Sequence, residues 1–392
     1  MSIQSTAALG VAAFIAVSAA SALAQAPESA PARRLSPELE ALNPPIPPDL
    51  VVPEDRRVPA ERKAAAYVDP DWEAPRTSWG HPSLEGTWST DDMRGIPLER
   101  PVELGTQEFL NDEQFLERAK RQLAGRYHAA NVETFHRNEW GTRTFGFSSL
   151  IVEPPNGRLP ALTAYGRERA EAAEGQGTFG PGPFDTFEDF SLYDRCIARG
   201  LSAGMSAVLY GNGILITQSP DSVTITYEMV HETRVIPLDG RPHLPDAITQ
   251  YSGHSRGRWD GDTLVIESRG FKDTTSIAGV PNSAGMRTTE RLRRVDPDMI
   301  EYRIRVDDPM TFTAPFTLRA MWTTQPGYEV REYSCHEGNT AVRFGLAGER
   351  AYERQVAEAI AKGLPIPRRS TMVEVYDAPP EGTKVFNINE GE

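Results

Sequence analysis

Two hydrophobic periods divide the chain. From Leu201 to Cys335 apolar residues recur at every second position between short turns. Ile300, Tyr302, Ile304 and Val306 alternate with Glu301, Arg303 and Arg305. Val223, Ile225, Tyr227 and Met229 alternate with Thr224, Thr226 and Glu228. Successive side chains of a strand point to opposite faces, so each run predicts a half-buried antiparallel strand. Asp239-Gly240 and Asp260-Gly261 predict two-residue hairpin turns, because glycine accepts positive φ without strain. Gly211-Asn212-Gly213, Ser219-Pro220-Asp221, Val295 to Asp298 and Gln325-Pro326-Gly327 supply further breaks. About nine strands joined mostly by short turns predict a mainly β fold, an antiparallel up-and-down barrel or sandwich with a few flanking helices. Closure would remove the exposed edges of so long a sheet.

A helical period appears on either side of this region. Leu116, Ala119, Leu123 and Tyr127 predict a helix near 111–129, capped by Asn111, with Asp112 and Glu113 at its positive end. A short helix is expected over 162–173, and a longer one over 341–362, stopped by Gly363 with Pro365 beyond. Gly86-Thr87-Trp88 resembles the G-x-W that opens lipocalin-type, or calycin, barrels, and one buried Trp on a first strand explains it equally well.

Residues 1–24 carry no charged side chain, and Leu9 to Val17 form a short apolar run before Ala22-Leu23-Ala24. Small residues at both positions of such a site predict an export signal cleaved between Ala24 and Gln25, although its first residues lack Lys and Arg. The run falls short of the roughly 20 apolar residues that span a bilayer, and no other stretch qualifies. The expected mature protein is periplasmic or secreted, with no integral membrane segment after processing. Residues 25–80 form a Pro-rich arm or linker, 81–363 a single β-rich domain, and 364–392 a tail. No internal repeat is visible.

Composition removes several functions. The 392 residues are 39% hydrophobic and carry a formal net charge of −14, which suits a folded domain and not a nucleic-acid binder. The same acid excess argues against adhesion to an anionic membrane. Lysine occurs only at Lys63, Lys120, Lys272, Lys362 and Lys384, so most positive charge is arginine, which favours fixed ion pairs and carboxylate recognition.

The segment from Gly253 to Ile266, GHSRGRWDGDTLVI, resembles the G-x-S-R-G-x-W-E-G-D-T-L-V-V signature of a large family of exported bacterial proteins of unassigned activity. Asp260 stands where Glu is usual and Ile266 where Val is usual. Ser149 to Arg158, Arg195-Cys-Ile-Ala-Arg-Gly200, Glu290 to Asp296, Asp308-Pro309 and Glu332-Tyr-Ser-Cys-His-Glu-Gly-Asn339 match the same set. The resemblance implies secretion and a common fold, and no reaction.

The chemistry therefore rests on the residues. A turn at Asp260-Gly261 sets Trp259 opposite Asp262 and His254 opposite Glu267. One face then holds Trp259, Gly257, Leu264 and Ile266; the other holds His254, Arg256, Arg258, Val265 and Glu267. The polar face is either solvated or lines a pocket in which Glu267 orients or acidifies His254 and Arg256 holds an anionic group; Trp259, on the other face, is a further substrate-binding candidate. Glu228 with Arg234 forms either a structural pair or an acid with a substrate clamp. His336 and Glu337, in Cys335-His336-Glu337-Gly338-Asn339, are a second acid-base candidate or simply cap the following helix. No histidine pair has metal-ligand spacing, and there is no Walker loop or dinucleotide fingerprint, so no metal or cofactor is expected; Gly253-His-Ser-Arg-Gly257 superficially resembles a G-x-S-x-G nucleophile elbow but lies on a strand leading into a hairpin and not at a strand-to-helix turn.

The leading expectation is an exported enzyme acting on a small molecule, an anionic one being among the candidates. It would use metal-independent acid-base chemistry, as a lyase, isomerase or hydrolase, with His254 and His336 as acid and base and Glu267 and Glu337 as orienters. The alternatives are a non-catalytic calycin-type binding protein and an envelope-associated structural protein engaging a partner through its Pro-rich arm. Cys196 and Cys335, the only cysteines, are expected to pair, because export favours disulfides and the first and last strands of a closed meander are neighbours.

Overall fold

A computed structural model describes residues 72–118, 145–173, 182–205, 207–208, 210–325 and 327–369. The expected export signal, most of the arm and most of the tail lie outside the described residues. The fold is mainly β. Twelve strands are described: β1 (Gly86–Ser89), β2 (Ile151–Glu153), β3 (Gly213–Gln218), β4 (Ser222–Tyr227), β5 (Thr233–Pro237), β6 (His254–Asp260), β7 (Thr263–Arg269), β8 (Ser276–Ile277), β9 (Val280–Pro281), β10 (Arg287–Asp296), β11 (Met299–Asp307) and β12 (Phe316–Thr323).

Ten of them form one antiparallel sheet in the order β5-β4-β3-β1-β12-β11-β10-β7-β6, with β2 beside β12. Two meanders, β3 to β5 and β6 to β12, are joined through β1, which pairs with β3 along its length and with β12 at Ser89 and Thr323. β8 and β9 make a small separate hairpin. The alternation read from the sequence is realised in β11, where Ile300, Tyr302, Ile304 and Val306 are fully buried. β12 is buried at all eight positions because it is central and covered on both faces. Trp322 stacks on Tyr302 with ring centroids 4.6 Å apart, and its indole N–H donates to Gly204 O at 2.7 Å. Trp88, the Trp of the G-x-W, is also buried, its N–H donated to Leu84 O.

The ladder does not close. No β5–β6 pairing exists among the described residues, yet these two end strands meet through side chains. A Cβ on Gly257 of β6 would lie 2.7 Å from Ile236 Cγ2 and from Leu238 Cδ2. Arg234 of β5 donates to Ser255 Oγ of β6 at 3.1 Å. The result is a sandwich-like sheet whose edges are brought together and covered.

Two turn expectations need correction. Asp239-Gly240 does not close a hairpin, because a long connection over 238–253 separates β5 from β6. The β6–β7 hairpin does form, but Asp260 pairs with Thr263, so the turn residues are Gly261 and Asp262. His254 therefore faces Arg269, and Glu267 faces Arg256. The slip is two residues, an even number, so the composition of the two faces survives.

Helices lie where the sequence places them among the described residues; of the helix expected near 111–129, residues 119–129 lie outside the described residues. Residues 112–118 are helical, and Asn111 and Gln114 exchange side-chain and backbone hydrogen bonds as a capping box. α1 covers Ala164–Ala172, with Thr163 as its cap. α2 covers Ala341–Lys362 and ends at Gly363 in the left-handed conformation. α2 packs against the 184–190 segment so tightly that a Cβ on Gly345 would sit 2.4 Å from Phe190 Cζ.

Cys196 and Cys335 form a disulfide with Cα atoms 5.7 Å apart. The geometric reason differs from the one expected. β1 stands between β3 and β12, and both cysteines lie in irregular segments outside the sheet.

Candidate functional site

The structure separates the residues singled out on the hairpin from those after the last strand. His254, Arg256, Arg258 and Glu267 share the outer face of β6–β7. Glu267 and Arg258 are more than half exposed and approach to 3.7 Å. Arg256 donates to the carbonyls of Arg241 and Pro242 at 3.0–3.2 Å, fastening the 238–253 connection to β6. His254 Nδ1 lies 3.1 Å from His243 Nδ1 and 3.4 Å from the Leu244 amide. Trp259 is on the inner face, 5.5 Å from the His81 ring. His336 and Glu337 are exposed in a turn, and no contact joins them to His254 or Glu267 among the described residues. The shared acid-base cavity is therefore not assembled from these four side chains.

Arg234 and Glu228 are also not partners. Arg234 Nη1 and Nη2 bind Glu290 at 2.9 and 2.6 Å inside the sheet, and Nη2 also reaches Ser255 and Ser268. Tyr302 donates its hydroxyl to Glu290 Oε2 at 2.9 Å. Glu228 is buried and accepts the Tyr328 hydroxyl. Arg234 is too enclosed, and both its terminal nitrogens too engaged, to clamp a ligand arriving from solvent.

A cleft of about 1330 Å³ lies elsewhere. The 188–200 segment lines it with Phe190, Tyr193, Arg195 and Arg199, and the 271–284 segment with residues that include Phe271, Lys272 and Asp273. Tyr210, Met229 and Tyr251 complete the surface used below.

The 188–200 segment is held by interactions that reach far along the chain. The disulfide ties Cys196 to Cys335, and Asn339 Nδ2 donates to Asp194 O at 2.9 Å and to Cys196 Sγ at 3.2 Å. His231 Nδ1 meets Tyr333 O at 2.8 Å. Glu232 Oε2 accepts the amides of both Arg199 and Gly200 at 3.1 Å, and its other oxygen accepts the Ser252 hydroxyl. Cys196 itself has φ of 56°, a left-handed turn that brings Arg195 and Arg199 to the cleft. From behind, α2 supports Phe190.

The electrostatics favour an anion. Asp273 is engaged by Arg169, and Asp189 accepts the Asp185 and Thr186 amides at 2.7 Å; Glu188 is exposed at the rim. Arg195, Arg199 and Lys272 have no carboxylate within ion-pair distance among the described residues. Arg195 lies over the Phe187 ring and Lys272 over the Tyr251 ring, at 5.2 and 4.5 Å. Desolvation lowers the Arg199 pKa, against the opposing pull of Tyr193, Tyr333, Glu232 and Tyr227. Tyr193 and Tyr333 place their hydroxyls 3.2 Å apart, and Tyr210 stacks on Tyr333. Burial raises the pKa of both Tyr193 and Tyr333, so their protons are firmly held and they act as donors rather than bases.

Tyr193, Arg195, Arg199 and Lys272 line the cleft, and none of them is among the histidine and hairpin candidates of the sequence. The signal was present in two of the segments that carried the family resemblance, Arg195 to Gly200 and Glu332 to Asn339, which the disulfide joins. No helix among the described residues is long and apolar enough to cross a membrane, and no group of three potential ligands could hold a metal ion there. No family model, no curated protein and no solved structure matches this chain.

Proposed function

We propose that this chain is an exported protein that takes a small organic anion into the disulfide-walled cleft, with Arg199 holding the acidic group. One observation carries the reading: Arg199 is a partly buried guanidinium on the wall of this cleft, with no carboxylate within ion-pair distance among the described residues. A desolvated cation binds an incoming carboxylate more strongly than a hydrated one, because less water must be removed when the pair forms. Tyr193 supplies a neutral donor beside it. Export accords with the apolar leader and with a disulfide, which persists in oxidising compartments. On this reading the chain belongs with the exported bacterial set that its motifs resemble.

A catalytic form of the same reading uses the hydrogen-bonded Tyr193–Tyr333 pair. A phenol that retains its proton can donate a hydrogen bond to an oxygen on which negative charge develops, in a metal-independent elimination, isomerisation or hydrolysis. The test is calorimetric titration with benzoate, followed by Arg199→Met. Measurable binding that is lost in the variant supports the proposal. Equal binding by the variant would place the anion elsewhere.

A further inference from the structure

We infer that the ligand is an aromatic dianion, a rigid ring-bearing body with one acidic group for Arg199 and a second for Lys272. This deepens the proposed anion-binding role of the cleft and rests on it.

Two independent cationic stations line the same cleft from different segments. Arg199 is positioned by the double amide contact with Glu232. Lys272 is positioned with comparable rigidity. Its amide donates to Gln250 O at 2.9 Å, and its carbonyl accepts Thr275 Oγ1 at 3.0 Å and Asn282 Nδ2 at 2.9 Å. Asn282 is fully buried. The Lys272 ammonium rests over Tyr251 rather than against a carboxylate, an arrangement that keeps the charge available. Lysine is rare in this chain, so a lysine with a pinned backbone and no carboxylate partner among the described residues stands out at a cleft wall.

The space between the stations suits rings. Tyr193, Tyr210, Tyr251, Phe190 and Phe271 all line it. Rings of this kind stack on a flat ligand and contribute beyond simple area burial. A volume of about 1330 Å³ exceeds the roughly 300–1,000 Å³ of ordinary small-molecule pockets, more room than a single-ring acid requires.

The experiment titrates the mature protein with three probes, benzoate, biphenyl-4,4′-dicarboxylate and decanedioate, near neutral pH. Biphenyl dicarboxylate should bind about tenfold or more tighter than either of the others, since it alone offers both charges and a rigid aromatic body. Lys272→Met should reduce its affinity about tenfold, to the level of benzoate. Equal affinity for benzoate and the aromatic diacid, or a diacid affinity unchanged in Lys272→Met, would overturn the dianion. Decanedioate binding as tightly as the aromatic diacid would overturn the aromatic body. Absence of binding by every probe, or indifference of all three to Arg199→Met, would instead remove the anion cleft itself.

Discussion

Arg234 Nη2 lies 2.6 Å from Glu290 Oε1 in the interior, although β5 and β10 are not neighbours in the sheet. The bidentate pair spans from one end strand to a strand well inside the other meander. Burial alone would lower the Arg234 pKa, but the charge and hydrogen bonds of Glu290 outweigh it and hold the guanidinium firmly protonated. Ser255 and Ser268, 2.8 Å apart, extend the network to both strands of the β6–β7 hairpin. Side chains thus do at this seam what a backbone ladder does between the other strands.

Removing one partner should be far worse than removing both. Glu290→Ala strands a buried guanidinium and is expected to cost about 3–5 kcal/mol of unfolding free energy. Arg234→Met combined with Glu290→Leu should recover much of that loss. Urea denaturation of the single and double variants measures it; a single variant as stable as the parent would show that the pair is not isolated from water.

The disulfide should be present in the isolated protein and should matter for the cleft. Intact mass without reduction is expected to be two hydrogen atoms below the reduced mass. Replacing Cys196 and Cys335 by Ser together removes a crosslink between residues 139 apart, for which chain entropy gives a ceiling of about 4–5 kcal/mol. The double variant should also bind benzoate more weakly, because the Arg195–Arg199 turn loses its tie to the Tyr333 segment. Unchanged melting and unchanged titration would refute both parts.

Acid should loosen the connection over 238–253. His243 and His254 share a ring–ring contact, and desolvation, together with Arg269 and Arg256, lowers both pKa values below the ordinary 6.5. The unfolded chain then takes up protons before the native state does. Stability is full above about pH 6.5 and declines as pH falls below it toward the depressed native values. Glu267 opposes the shift at His243 only weakly. Denaturation midpoints between pH 8 and pH 5 should fall less steeply for His243→Gln than for the parent. Parallel pH profiles would exclude the pair as the source.

Two glycines should respond with opposite sign. Gly257→Val places a side chain where Ile236 and Leu238 already lie, and is expected to destabilise by about 1–3 kcal/mol. Gly348, within α2, has open space around its missing Cβ, so Gly348→Ala should stabilise by about 0.5–1 kcal/mol. Thermal melts of the two variants decide both claims.

The sequence revealed local structure best where one residue type enforces it. Gly363 and Pro365 end α2 at the expected place, and the alternation in β11 is strict because one face is wholly interior. The β6–β7 register was less legible because Asp260, Gly261 and Asp262 permit more than one two-residue turn, and the alternatives preserve the same faces. β12 shows no alternation, since neighbours supplied by distant segments cover both sides. The cleft was harder still. Its cations come from an irregular segment and from a loop after β7, brought together by a crosslink and by Glu232. No local period could encode that meeting.

The crosslink also makes the chain from Cys196 to Cys335 a covalent ring that contains β3 through β12. β1 enters from outside this ring and fits between its first and last strands. A protease that cuts one peptide bond in the 238–253 connection would therefore release no fragment. The nicked protein should migrate as one species until a reductant opens the ring, when two pieces separate. The same connection is consequently a place where a foreign segment could be spliced in while the remaining chain stays bound to itself.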